Sequence, residues 1–317
     1  MKHSVAIPSY RRPADLRRAL EALTRQERPA EEVIVVARMD DVETHAVVRE
    51  FASALPIRLE LVEKPGVVEA YNRALDKANG DILSFIDDDA APHSDWARKI
   101  AEIFAEDADL AGLGGKDHIF VEGIWLEGAE PVVGIVRWYG RVIGNNHVGV
   151  GPRRDVDGLK AVNMSVRMKA VGSLRMDRRL RGTGAQWHCE LKFCLELRAQ
   201  GKRLAYDPSL VVDHFAGQRH DEDQRGRFNA QAYENEIHNI TFTLLEYLRP
   251  AGRASMLSYA LLAGPGTSYF GLMQGLRYWP RIGNQTWRRV AASARGVLAG
   301  MKTWREGEKA AGRAWSQ

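Results

Sequence analysis

The chain has 317 residues, of which 45% are hydrophobic and 27% charged, long enough to bury a sizeable core and free of repeats or low-complexity segments. Its two cysteines, Cys189 and Cys194, would point about 140° apart on a helix and have no companions for a four-ligand zinc site, so they read as reduced core thiols rather than staples. The net charge of +4 is uneven: residues 249–317 carry eleven Lys/Arg against Glu306 and Glu308, a balance of +9 that leaves −5 for the first 248 residues.

The opening, Met1 to Pro8, lacks a signal-peptide layout, because its apolar run is short and meets proline and arginines at once; a cytoplasmic protein is expected. Short apolar or alternating runs predict strands at His3–Pro8, Glu32–Ala37, Ile57–Val62, Ile82–Ile86 and Leu110–Leu113. Helical spacing lies between them. Pro13 suits a first helical position ahead of Leu16, Ala19, Leu20 and Leu23. Val42, Ala46, Val47 and Phe51 give a second helix. Val67, Tyr71, Ala74, Leu75 and Ala78 give a third, closed by Gly80, and Trp96, Ile100, Ile103 and Phe104 a fourth. The alternation predicts an α/β fold, a mostly parallel, Rossmann-like sheet with helices on both faces. Ligands of such sheets bind beyond the carboxyl ends of the strands, which brings Pro8–Arg12, Ala37–Asp41, Glu63–Gly66 and Asp87–Asp89 to one crevice.

Three consecutive aspartates, Asp87, Asp88 and Asp89, end a buried strand and repel one another unless a cation or strong donors neutralise them. A hard divalent ion, Mg2+ or Mn2+, holding phosphate oxygens answers that need. A solvated acidic turn, or a helix cap from Asp89 or Ser94, is the alternative.

Taken together, Val5-Ala6-Ile7-Pro8-Ser9-Tyr10-Arg11-Arg12-Pro13, Glu32 to Val36, Gly66 to Leu75 and Phe85 to Asp89 occur in the order and spacing of family 2 glycosyltransferases of the GT-A fold. The sequence resembles that family over about residues 3–250, continuing through Asn163 to Arg167, Gly182 to Gln186, Tyr206-Asp207-Pro208 and Val211 to His214. The resemblance implies an inverting enzyme of bacterial polysaccharide or glycolipid type that takes a nucleotide-diphosphate sugar. It places Pro8, Ser9, Tyr10 and Arg11 in the nucleotide pocket, and Asp87, Asp88 and Asp89 by the ribose, diphosphate and metal, with Asp89 as direct ligand and Asp87 in support. Lys64 and Arg73 become candidate diphosphate-side cations. Where the family has an acidic, glycine- and serine-bearing loop after its second strand, this chain has Ala37-Arg38-Met39-Asp40-Asp41, so Arg38 and Asp40 are candidates for the base, with Asp41 as a helix cap the simpler reading.

Inverting transfer needs a base for the acceptor hydroxyl. Alignment on Gly201 and Tyr206-Asp207-Pro208 puts Glu190 where the family has an aspartate, while Cys189 and Lys192 replace neighbouring acids. Glu190 is therefore the expected base, its alternative being a glutamate that favours a helix N-terminus. His214, after a strand at Leu210–Asp213, is a candidate third metal ligand. Trp187, His188, Asn163 and Met164 are assigned to the acceptor side, along with aromatic residues between Lys116 and Gly158. The polar stretch from Arg219 to Arg225 reads as a lid.

Two domains are expected: a GT-A catalytic domain over 1–235, with a nucleotide-sugar half (1–115) and an acceptor half (116–235), and a helical basic extension over 236–317. Leu257–Leu276 is broken by Gly264-Pro265-Gly266 and Gln274, too interrupted for an ordinary spanning helix. Arginines interleaved with Trp279, Trp287 and Trp304 instead suit an anionic leaflet, placing the protein at the inner face of the cytoplasmic membrane with a glycan or lipid-linked acceptor. No nucleic-acid partner is expected, because no recognition motif accompanies the charge. An inactive nucleotide-sugar-binding relative and a nucleotidyltransferase are the alternatives, and oligomeric state is left open.

Overall fold

The computed structural model describes residues 1–224, 227–264 and 270–314, with side chains as far as Glu308. Arg225, at the end of the expected lid, and Pro265-Gly266 of the expected helix break lie outside the described residues.

The N-terminal elements follow the predicted order, with one short strand, β5, that the sequence reading does not include: β1 (His3–Ser9), α1 (Pro13–Thr24), β2 (Glu32–Arg38), α2 (Val42–Glu50), β3 (Ile57–Val62), α3 (Val67–Lys77), β4 (Ile82–Phe85), β5 (Ala90–Pro92) and α4 (Trp96–Glu106). Then come β6 (Leu110–Val121), β7 (Ile124–Trp125), β8 (Ile135–Val136), β9 (Val142–Ile143), β10 (Arg154–Asp155), β11 (Met164–Arg167), α5 (Met168–Val171), α6 (Cys189–Ala199) and β12 (Arg203–His214). Four helices close the chain: α7 (Ala230–Tyr247), α8 (Pro250–Leu262), α9 (Leu272–Ile282) and α10 (Asn284–Ala314).

The main sheet runs β10-β12-β6-β11-β4-β1-β2-β3. β1, β2, β3 and β4 are parallel neighbours, as are β6 and β12, while β11 is wedged antiparallel between β4 and β6. Alternation along the strands sorts the core into two layers. Val5, Ile7, Val33 and Val35 pack under Leu16 and Leu20 of α1, Val47 of α2 and Ile100 of α4. Ala6, Ile34, Val36, Leu83 and Phe85 face Tyr71, Ala74 and Leu75 of α3 and Phe193 and Leu197 of α6.

Local signals account for the helix starts. Pro13 opens α1, and Asp41 caps α2 by accepting from the Thr44 amide (3.2 Å) and hydroxyl (2.7 Å). That cap turns Thr44, Val47 and Val48 inward, so Val42, expected on the apolar stripe, is 68% exposed.

The extension forms a third layer. Leu191 and Leu195, on the outer side of α6, cluster with Ile237, Leu244 and Leu245 of α7, Met256 of α8 and Val297 of α10. α10 crosses α7 closely at Gly296 and Gly300, where a Cβ would come within 2.6 Å of the Ile237 side chain and 2.9 Å of the His238 carbonyl oxygen. Asn229 caps α7 through the Gln231 and Ala232 amides, and the helix runs unbroken through the expected boundary at 235/236. Among the described residues, no helix is long and apolar enough to cross a membrane.

Candidate active site

A cavity of about 490 Å3 opens beyond the carboxyl ends of β1, β2, β3, β4 and β12. Pro8, Ser9, Tyr10, Arg38, Lys64, Asp87, Asp89, His214, Trp187 and Glu190 all line it.

Each member of the acidic triplet has a different environment. Asp88 is fully buried, with Arg12 Nη2 2.8 Å from its Oδ1, and burial raises its pKa. Asp89 Oδ2 accepts from Arg12 Nη1 (2.9 Å) and the Gly217 amide (2.7 Å), and His214 Nε2 lies 3.3 Å from its Oδ1. Burial opposes ionisation of Asp89, but His214, Arg12 and the Gly217 amide outweigh it and hold the carboxyl well below its ordinary value. Asp87 faces the cavity with its pKa raised by burial and by Asp89.

His214 ends β12 between two carboxylates, Asp89 and Asp117, the latter 3.7 Å from Nδ1. Burial disfavours the imidazolium, yet these carboxylates lift its pKa to about 9. Asp87, Asp89 and His214 each offer a ligand atom within 4.8 Å of the others. Two carboxylate oxygens and an imidazole nitrogen fit a divalent cation of the Mn2+ or Mg2+ kind, which would take the imidazole in its neutral form.

Glu190 occupies the second position of α6, and its Oε2 lies 3.2 Å from the Cys189 thiol. Burial raises its pKa, and the helix N-terminus favours its anion. The turn before it is pinned by Gln186, whose Oε1 accepts from the Val68 amide (2.9 Å) and whose Nε2 donates to the Leu180 carbonyl (3.0 Å). Gly66 permits this, since a Cβ there would sit 2.3 Å from Gln186 Oε1. Lys192, in place of a family acid, is buried and pairs with Glu246 and with Asp177 (3.4 Å), tying α6 to α7.

Over the outer side of the cavity runs the segment after β12. Gly217 holds Asp89, Asp221 accepts from Arg38 (2.8 Å), and Asp223 accepts from Trp187 Nε1 (2.7 Å). Arg38 also donates to the Thr183 carbonyl (3.0 Å) and lies 3.7 Å above the Tyr10 ring.

Other expected site residues stand elsewhere. Asn163 and Met164 are turned into the core rather than toward an acceptor. Asn163 accepts from Trp96 Nε1 (2.9 Å) and donates to the Lys116 and Leu210 carbonyls (3.1 and 2.9 Å), while Met164 is fully buried on β11. Arg73 points to the sheet edge and pairs with Glu60 (2.8 Å), away from the cavity wall. Arg11 and Asp40 meet in the open at 3.5 Å, and the Arg11 amide bonds Asp41 instead (2.6 Å). His188, in a left-handed conformation (φ 72°) just before α6, does not line the cavity, and burial lowers its pKa to about 4. Trp125 stacks on His118 at 4.2 Å beside Phe120, while Ile119, Val121 and Leu126 of that hairpin face the cavity.

Two site groups, Asp117 and Lys160, are not singled out by the sequence, and Arg12, expected at the crevice only as part of the Pro8–Arg12 loop, turns out to pair with Asp88 and Asp89. A lone aspartate within the apolar strand β6 was the available signal for Asp117, which the neighbouring Lys160 pairs with; nothing marked Lys160 itself.

Residues 4–139 match the model of glycosyl transferase family 2. Glycosyltransferase AglE of Haloferax volcanii is 33% identical over 115 residues, which are 34% of this chain and 38% of that protein. A glycosyltransferase described as uncharacterized from Haemophilus influenzae is 31% identical over 108 residues, 34% of this chain and 36% of its own length. The chain thus spans little more than a third of the curated relatives it matches. Among solved structures, S. aureus TarS 1-349 with UDP-GlcNAc superposes with a TM-score of 0.63 at 16% identity, covering 94% of this chain and 81% of that one. The mannosyltransferase PcManGT from Pyrobaculum calidifontis, with GDP-Man and Mn2+, gives a TM-score of 0.55 at 14% identity, covering 95% and 87%. At such identities the likeness speaks for architecture. The sequence match over residues 4–139 is to glycosyl transferase family 2, and the architecture over the chain as a whole is the GT-A fold.

Proposed function

We propose that the chain is a metal-dependent, inverting glycosyltransferase that moves a sugar from a nucleotide-diphosphate sugar to a hydroxyl of a glycan or lipid-linked acceptor. One observation carries the reading: Asp87, Asp89, His214 and Glu190 line a single cavity, joining a cation-binding group to a half-buried carboxylate base. The UDP-GlcNAc and GDP-Man in the structures of TarS and PcManGT support a nucleotide-sugar donor without choosing its base.

Glu190 takes the proton of the acceptor hydroxyl, and the freed oxygen attacks the anomeric carbon from the side opposite the diphosphate. The bond from that carbon to the phosphate oxygen breaks, its electron pair leaves with the diphosphate, and the configuration inverts. A pKa raised by burial makes Glu190 a stronger base than a free glutamate. Asp87, Asp89 and His214 would hold Mn2+ or Mg2+, whose contribution is to neutralise charge on the diphosphate. Lys64 and Lys160 add cationic charge to the same walls, and the stacked Tyr10 and Arg38 form the rim for the base. The basic extension supports a place at the inner face of the cytoplasmic membrane.

The test combines thermal shift with nucleoside diphosphates and Mn2+ with product release from a panel of nucleotide sugars. Glu190→Gln should keep the metal-dependent shift and lose turnover, whereas Asp89→Asn should lose both. Turnover at the original rate in Glu190→Gln would remove the base from the mechanism.

A further inference from the structure

Much of the basic extension is occupied with the catalytic domain and with itself. Arg295 pairs with Glu234 at 2.7 Å, Arg253 lies 4.8 Å over the Trp304 ring and Arg289 4.5 Å over Phe228. Helix α9 differs. Only Gly275 is buried along it, against Val290 and Trp287 of α10, while Leu272, Met273, Leu276 and Trp279 are 51%, 64%, 64% and 53% exposed. Leu272, Leu276 and Trp279 fall on one helical stripe with Met273 beside it, and Leu261 and Leu262 at the end of α8 are exposed as well.

Arg277 and Arg281, one turn apart, follow that stripe. Residues 249–305 contain no aspartate or glutamate, and among the described residues neither arginine forms an ion pair. An apolar face of this kind marks an interaction surface. A second copy docked on it would bring its own arginines toward these, with no acid in the segment to separate them. An anionic bilayer suits every part: the acyl region takes the leucines and methionine, tryptophan sits at headgroup level, and the headgroups attract the arginines.

We infer that α9, with the end of α8, is the face by which the protein lies on an anionic lipid surface. This narrows the membrane contact proposed above from the whole extension to one helix, and it stands apart from glycosyl transfer.

The test uses the full chain with sedimentable vesicles of phosphatidylcholine, with and without phosphatidylglycerol. The protein should sediment with the anionic vesicles only and be released by salt. Arg277→Gln with Arg281→Gln should weaken partitioning about fivefold per charge removed. Leu276→Ser with Trp279→Ser should abolish it while leaving the melting temperature and the nucleoside-diphosphate thermal shift unchanged, since both side chains are exposed. Undiminished binding by either variant, or no binding of the original protein, overturns the assignment. So does a dimer in light scattering that the Leu276/Trp279 variant dissolves without any vesicle binding, because a second copy would then cover the face. Loss of the nucleotide shift in the original protein would instead strike the donor reading and leave this one standing.

Discussion

On one side of the cavity, Ser9, Arg38, Lys64 and Asp87 sit at or just beyond the carboxyl ends of four parallel strands that are neighbours in the sheet. On the other, Lys160, Glu190 and Asp221 come from a loop, a helix start and the segment after β12, which share no ladder. The first wall inherits its geometry from backbone hydrogen bonds. The second is assembled by side chains reaching between elements, such as Gln186 to the Val68 amide and Arg38 to Asp221. Substitutions of the reacting groups should therefore remove a chemical role on either wall, whereas substitutions of the connecting side chains should shift geometry on the second wall.

The largest effect is expected at the base. Glu190→Gln should lower transfer by roughly 10²–10⁴-fold with donor binding kept, read as turnover beside nucleoside-diphosphate thermal shift. Next, Gln186→Ala should cost about 1 kcal/mol of stability by unpinning the turn before α6, and lower turnover more than donor affinity. Chemical denaturation and a separation of kcat from KM would check it, and equal loss in both parameters would show that Gln186 serves the donor wall too.

A pH experiment probes the ladder side alone. His3, buried in β1 with Nε2 2.7 Å from the Ser84 hydroxyl, has its pKa lowered by burial from 6.5 to about 4. Between those values the unfolded chain binds the extra proton, so His3 contributes stability that is complete above 6.5 and is lost as pH falls toward 4. Urea midpoints of His3→Asn should fall less steeply over that interval than those of the original protein. The smallest change belongs to Asp221→Asn. Removing a partly exposed ion pair with Arg38 should alter nucleoside-diphosphate affinity by less than about fivefold.

The same contrast explains what the sequence made legible. Apolar runs in β1, β2 and β4 and the acids and cations at their ends could be read directly, because the strand–helix alternation of the sequence corresponds there to parallel neighbours in the sheet. β11 breaks that correspondence. It slots between β4 and β6 with Ser165 bonded to Ser84 (2.6 Å), a buried polar chain continuing to His3 that no hydrophobic pattern announces. Asn163 failed as an acceptor contact for the same reason, since its polar groups are consumed in joining α4 to β6 and β12.

The outer layer bears on how this protein can be dissected. Leu191 and Leu195 belong to the helix that carries Glu190, and they are covered by α7, α8 and α10. Shortening the chain to remove its basic end would strip Val297 from that cover and wet the back of the base-bearing helix, so a truncated protein that fails to act would say nothing about lipid. Attachment and catalysis can be separated only by repainting the exposed side of α9, where the scaffold beneath Glu190 stays whole.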